Sequence, residues 1–309
     1  MQALARVHLI QQDIIRDQIR EFLLDREARG LSPHTITWYD QQLGHLRAFL
    51  LGQGISSVEE VTPAILRAFL RDFAQSHNPG GTHGAYRAAH AFFTWWSQEY
   101  ETPNPIARVA APKVAERVLD PVNPDHLKAM LATCERRTFI GDRDKALMLF
   151  MLDSGCRRAE LLALNIRDVD LRTGTVMVMH GKGDKPRMTF VSPQTLRATL
   201  AYLRHRREAA DADPLWLDEK GHRLSTTALR AILVRRAKLA GVPAPTPHQF
   251  RRGFALAALR NGCDLISLQR LMGHSDLTVL RRYLAQTEAD LSAAHRRASP
   301  VNALLDGKR

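Results

Sequence analysis

The stretch GHSDLTVLRRYL, residues 273 to 284, sets His274 nine positions before Tyr283, with Arg281 and Arg282 directly ahead of the tyrosine. A phenol flanked by cations is equipped to attack a negatively charged centre, because the cations favour the phenolate. The same residues also read as an ordinary amphipathic helix, with Tyr283 beside a stripe of Leu277, Leu280 and Leu284. Three further groups carry reactive side chains. Arg157 and Arg158 precede Glu160 in SGCRRAEL, Lys182 stands in GKGDKPR with Lys185 and Arg187, and HQFRR holds His248, Arg251 and Arg252. Taken singly, each has a plain reading as a surface ion pair, an exposed turn lysine or a decorated helix face. The basic runs RHRR at 204 to 207 and RRAK at 235 to 238 read as solvated faces.

These residues sit in a chain of 309 residues, long enough for two domains with separate cores. Its net charge is +12, and the excess is unevenly placed. Residues 1 to 110 hold 10 basic and 11 acidic side chains, whereas the remainder holds 34 basic and 21 acidic. A basic, arginine-rich segment of that kind suits a polyanion and favours bidentate phosphate contacts. Three scattered cysteines, Cys134, Cys156 and Cys263, fit a reducing compartment better than a disulfide framework or a zinc cluster. The first twenty residues interleave charges with apolar side chains, unlike a signal peptide, and the longest apolar run, ALMLFML, is too short for a membrane span. A cytoplasmic protein is expected.

Elements that would position the reactive groups can be read from periodicity and punctuation. The first hundred residues predict four amphipathic helices: one carrying Ile15, Ile19 and Phe22, one opened by Ser32-Pro33, one opened by Thr62-Pro63, and a fourth capped by Thr82 after the turn NPGG. Together they predict a helical bundle. Residues 102 to 124 hold five prolines and no sustained apolar periodicity, which predicts an extended connector. A new helix begins at Asn123. KALMLFMLDSG predicts a buried helix, TGTVMVMHGKGDKPRMTFVS a β-hairpin, and the rest of the chain helices.

The order SGCRRAEL, GKGDKPR, HQFR, GHS and a tyrosine nine residues after that histidine resembles the tyrosine site-specific recombinases, the phage integrase and Xer group. The resemblance runs over nearly the whole chain. It implies a mainly α fold, with a helical-bundle DNA-binding domain over 1–106, a linker over 107–122, and a mixed α/β catalytic domain over 123–309 containing a small antiparallel sheet. It implies that Arg157, Lys182, His248, Arg251, His274 and Tyr283 are catalytic, with Glu160 in support. DNA contacts are expected from Lys185, Arg187, Arg252, Arg281 and Arg282. Three positions depart from the common pattern: Cys156 replaces an aliphatic residue, Phe250 a leucine or methionine, and Arg252 a second histidine.

The implied reaction is attack of Tyr283 on a DNA phosphodiester, giving a 3′-phosphotyrosyl link and a 5′-hydroxyl. Arginines suit the charge that builds on the phosphate oxygens in the transition state. His248 is expected to accept the phenol proton and Lys182 to protonate the leaving oxygen. No metal and no cofactor are expected. The partner is double-stranded DNA with a specific recombination site, bound at synapsis by a homo- or hetero-tetramer, with no membrane involved. The C-terminal tail, 286 to 309, is expected to dock on a neighbouring subunit. Other readings are a type IB topoisomerase, a catalytically inactive DNA-binding or architectural protein, and a metal-dependent transposase, which would need clustered carboxylates.

Overall fold

The computed structural model describes residues 13–114, 120–179, 186–206 and 208–273, together with residues 292, 295, 296, 299 and 301. The chain divides into two compact units, Met1–Arg117 and Val118–Arg309.

The first unit is a helical bundle of α1 (Ile14–Ala28), α2 (Pro33–Gly52), α3 (Pro63–Ser76) and α4 (Pro79–Glu99). Side chains of Asp13, Ser32, Thr62 and Asn78 accept from backbone N–H groups of the first turns, and proline opens α2, α3 and α4. The helices converge on a buried aromatic core that includes Phe22, Phe69, Phe92, Phe93 and Trp96. The fourth helix starts before the expected Thr82. Asn78 caps it and Pro79 occupies its first turn, so Gly80 and Gly81 are absorbed into the helix and Thr82 is buried. An Asn-Pro start outweighs the turn propensity of two glycines when the next turns bury apolar surface. Beyond α4, Ile106 and Val109 return to this core, and the Tyr86 hydroxyl donates to the Val109 carbonyl at 3.1 Å.

The second unit holds α5 (Pro124–Ala132), α6 (Phe139–Ser154), α7 (Arg158–Ala163), β1 (Thr175–Val178), β2 (Arg187–Phe190), α8 (Pro193–Leu203), α9 (Thr226–Ala240), α10 (Pro247–Arg260) and α11 (Leu265–Met272). Helix α6 packs against both α8 and α10, and α5 against α9. Phe150 meets Trp216 edge-on, and Tyr202 stacks on Trp216, at the centre of the core. β1 and β2 pair antiparallel, from Thr175 opposite Phe190 to Val178 opposite Arg187. Alternation puts Val176, Val178 and Thr189 inside, and leaves Met177, Met188 and Phe190 exposed. The Thr189 hydroxyl donates to the Ser154 carbonyl at 2.8 Å, which fastens the hairpin to the end of α6.

Arg204 and Lys238 are exposed as the solvated reading expects, but Arg206, Arg235 and Arg236 depart from it. Arg236 is buried and donates to Asp144 at 2.7 Å, where Arg143 and Arg235 also bind. Arg206 donates to the carbonyls of Pro214 and Leu215. Arg235 and Arg236 are spent on a carboxylate 91 and 92 residues away, which local charge patterning does not register.

Helix α6 ends at Gly155, whose φ of 60° lies in the left-handed region. A Cβ there would run into the ring of Phe254 on α10. Gly155→Ala is therefore expected to destabilise the protein by about 3 kcal/mol, combining left-handed strain with overpacking. A lowered urea midpoint at unchanged m-value is the measurement.

Candidate active site

The described part of the site is built around the last turn of α11. A helix leaves its final carbonyls without intrahelical partners. Here the carbonyls of three consecutive residues accept from three arginines. Arg187 Nε donates to Leu271 O at 3.2 Å, Arg251 Nη2 to Met272 O at 2.6 Å, and Arg157 Nη2 to Gly273 O at 2.9 Å. Cations at a helix C-terminus also meet the negative end of its dipole. Gly273 closes α11 at φ 61°. A Cβ on it would lie 2.5 Å from Cδ of Arg187, so the missing side chain lets the arginine stem lie against the turn.

Arg157 and Glu160 come from the start of α7. The Glu160 carboxylate reaches back to the Arg157 backbone N–H at 2.7 Å and also accepts from Arg157 Nη1 at 2.7 Å. Its Oε2 accepts from Arg187 Nη2 at 2.8 Å. One carboxylate thus joins two guanidiniums. Burial by itself would raise the Glu160 pKa; the Arg157 amide, the Arg187 charge and the Arg157 side chain together more than offset this and hold it below the usual value. The far end of α7 is closed by Arg223, whose Nη1 donates to the carbonyls of Leu162, Ala163 and Leu164.

Arg251 projects from α10 and also donates to the Gly155 carbonyl, tying α10 to the end of α6. It is buried at 3% exposure. One turn earlier on α10, His248 reaches solvent. Partial desolvation and the positive charges of Arg252 and Arg251 lower its pKa, so the ring is neutral at pH 7. Cys156 is buried, and burial pushes its thiol pKa up, so it packs as a small neutral side chain where an aliphatic one is common. Phe250 is wholly buried in the core.

The structure thus brings Arg157, Glu160, Arg187 and Arg251 together, with His248 and Arg252 alongside on α10. Lys182, Lys185, His274, Arg281, Arg282 and Tyr283, and the tail 286 to 309 apart from residues 292, 295, 296, 299 and 301, lie outside the described residues. Two elements escaped sequence reasoning: the carbonyls at the end of α11, and the Gly155 carbonyl. Both lie at helix ends closed by a left-handed glycine, the one signal that pointed to them. Among the described residues, three guanidiniums and one carboxylate meet here, a cationic excess suited to an anion with several oxygens.

Residues 121–290 match the family model described as phage integrase family, and residues 19–99 match the N-terminal SAM-like domain of phage integrases. The chain belongs to the phage integrase family. It is 29% identical to tyrosine recombinase XerC of Pelobacter propionicus, covering 93% of this chain and 96% of that protein. Against XerC of Actinobacillus succinogenes the identity is 30%, covering 89% and 94%. Among solved structures, the Tn1549 transposon integrase in complex with transposon right end DNA shares the fold at a TM-score of 0.72, with 18% identity over 91% of this chain and 99% of that one. XerH site-specific recombinase bound to its difH substrate, a post-cleavage complex, gives 0.70, with 20% identity over 93% and 84%. As a phage integrase family member, the chain is a tyrosine recombinase enzyme. Its fold is the mainly helical one of that family, with a small antiparallel sheet. Among the described residues, no helix is long and apolar enough to cross a membrane.

Glu160→Gln should cost about 3 kcal/mol at pH 7, because it leaves two guanidiniums without their carboxylate. The folded-state pKa of Glu160 lies below 4.5, so its stabilisation is complete above that value and is lost as pH falls through the lower folded value. Urea unfolding of both proteins should show a constant gap above pH 4.5 that closes below it.

Proposed function

We propose that the protein recombines double-stranded DNA at a specific site, through the residues named from its sequence. The observation that carries this reading is the gathering of Arg157, Arg251 and Glu160 at the turn that leads directly into the GHS motif. Two arginines from separate helices, held by a shared turn, can present charge-assisted donors to one phosphodiester. Those donors gain strength as charge accumulates on the phosphate oxygens.

The step runs as follows. The Tyr283 oxygen attacks phosphorus, the bond to the 5′-oxygen breaks, and a 3′-phosphotyrosyl link remains. A free phenol has a pKa of about 10, so the attack needs a proton acceptor. His248, neutral at pH 7, supplies one. Lys182 protonates the departing 5′-oxygen, and His274 donates to a phosphate oxygen. The energy of the broken bond is kept in the phosphotyrosyl link, and a 5′-hydroxyl from the second strand reverses the step. Arginine and lysine charge serves in place of a metal ion.

XerH and the Tn1549 integrase are seen on their DNA sites, and the basic excess beyond residue 110 suits the same partner here. The assembly is a tetramer of like or paired subunits at synapsis, acting in the cytoplasm on the nucleoid. Lys185, Arg252, Arg281 and Arg282 add phosphate contacts. The tail 286 to 309 docks on a neighbouring subunit, and truncation after Ala285 should abolish synapsis.

The test uses a duplex selected from a random library for retention by the full-length protein, then nicked near the cleavage point so that the released fragment diffuses away. Wild-type protein should form a covalent adduct that survives denaturing electrophoresis, with EDTA present throughout, and Tyr283→Phe should form none. Arg157→Ala and Arg251→Ala should each slow adduct formation by about 100- to 1,000-fold. For His248, whose lowered pKa places protonation below pH 6.5, the acid limb of kcat/KM should lie below that value and disappear in His248→Gln. An adduct lost on chelation would return the metal-dependent reading.

A further inference from the structure

We infer that Arg187 is a positioning residue: through the Glu160 carboxylate and the Leu271 carbonyl it sets where the Arg157 guanidinium stands, and does not itself grip DNA. The inference rests on the reading of Arg157 as a phosphate-binding arginine. It changes the role expected of Arg187 from its sequence, which was a DNA contact.

The geometry is a closed frame. Arg157 has two anchors, Glu160 Oε1 and the Gly273 carbonyl. Arg187 fastens both of them, because Nη2 holds Glu160 Oε2 while Nε holds the carbonyl two residues before Gly273. The terminal torsion of a glutamate is broad and roughly two-fold, so a carboxylate held on one side only can rotate. A second guanidinium on Oε2 fixes the carboxylate plane, and with it the direction in which Oε1 meets Arg157. The missing Cβ of Gly273 lets the Arg187 stem reach this position.

Arg187 is also well placed to be rigid. It is the first residue of β2, paired opposite Val178, and two residues on, Thr189 bonds the Ser154 carbonyl. Its side chain is 9% exposed, whereas that of Arg157 is 30% exposed. Among the described residues its Nη1 has no hydrogen-bond partner. A residue present for packing alone would avoid the cost of that buried donor. Holding a catalytic arginine in register gives a reason for the guanidinium to be there.

The experiment compares Arg187→Gln, Arg187→Lys, Arg157→Ala and the double variant Arg157→Ala/Arg187→Gln with wild type on the selected nicked duplex. Single-turnover cleavage at saturating DNA, DNA affinity across a salt series and thermal midpoint are measured for each. Arg187→Gln should slow cleavage by about 100-fold, the scale set by misplacing a catalytic group by about 1 Å, with DNA affinity retained. That loss should shrink on a duplex whose cleavable phosphate is a methylphosphonate, which presents less charge for Arg157 to meet. Added to Arg157→Ala, it should cost little more, because both changes act on one interaction. Arg187→Lys, which keeps the charge on Glu160, should recover part of the rate, and carries the same comparison if Arg187→Gln does not fold.

Losses that add in the double variant, equal losses on both substrates, or a salt slope reduced by about one phosphate contact would each overturn the inference. A wild-type adduct with an unchanged Arg187→Gln rate would overturn the role of Arg187 alone. No adduct from wild type would overturn the recombinase reading of these residues, and this role with it.

Discussion

Three guanidiniums sharing the end of one helix is the constraint on which the rest of this site depends. The carbonyls of Leu271, Met272 and Gly273 receive arginines from β2, α10 and the start of α7. Cations brought that close repel one another, and burial strengthens the repulsion. What holds them is the Glu160 carboxylate between two of them and the negative end of the α11 dipole beneath all three. Among the described residues, these two counterweights together fall short of three positive charges. The site therefore keeps a positive potential in a rigid frame, the arrangement that favours a transition state more anionic than its ground state.

A second helix end supplies the rigidity. Helix α6 finishes at Ser154 and Gly155, and the carbonyls of these residues receive Thr189 from the hairpin and Arg251 from α10. Both hubs terminate in a left-handed glycine. In each case the absent Cβ admits a close neighbour, Phe254 at Gly155 and the Arg187 stem at Gly273. Helices α6 and α10 have 16 and 14 residues, while α7, which carries Glu160, has six and relies on Arg223 at its far end.

Much of this was open to a reader of the sequence, for reasons that differ by element. Helix starts were legible because Ser32-Pro33 and Thr62-Pro63 act locally; α4 was misread by four residues because Asn78-Pro79 looked like part of a turn. The hairpin was legible from alternation, and the family from the order of its short motifs. The sharing of Glu160 was not legible, because its second arginine lies 27 residues away on another element. Nor was the buried Asp144, whose partner Arg236 lies 92 residues on. Patterning treats charge as surface, and only tertiary structure reveals which charges are spent inside.

The choice of arginine over lysine follows from the same geometry. Arg157 must bond Glu160 on one side and the Gly273 carbonyl on the other, which takes two of the five N–H donors a guanidinium carries. A planar fork spans two fixed acceptors without losing its orientation. An ammonium places three donors around a single atom and cannot hold two anchors this far apart while pointing at a third group. Arginine is thus the side chain that can be tethered to the protein and directed at a phosphate together. Lysine suits the opposite task, in which a proton must leave the group, because its pKa shifts readily when its surroundings change. On the proposed reading the chain uses each where its chemistry requires, arginines on the framework of α7 and α10 and Lys182 in the sequence between β1 and β2.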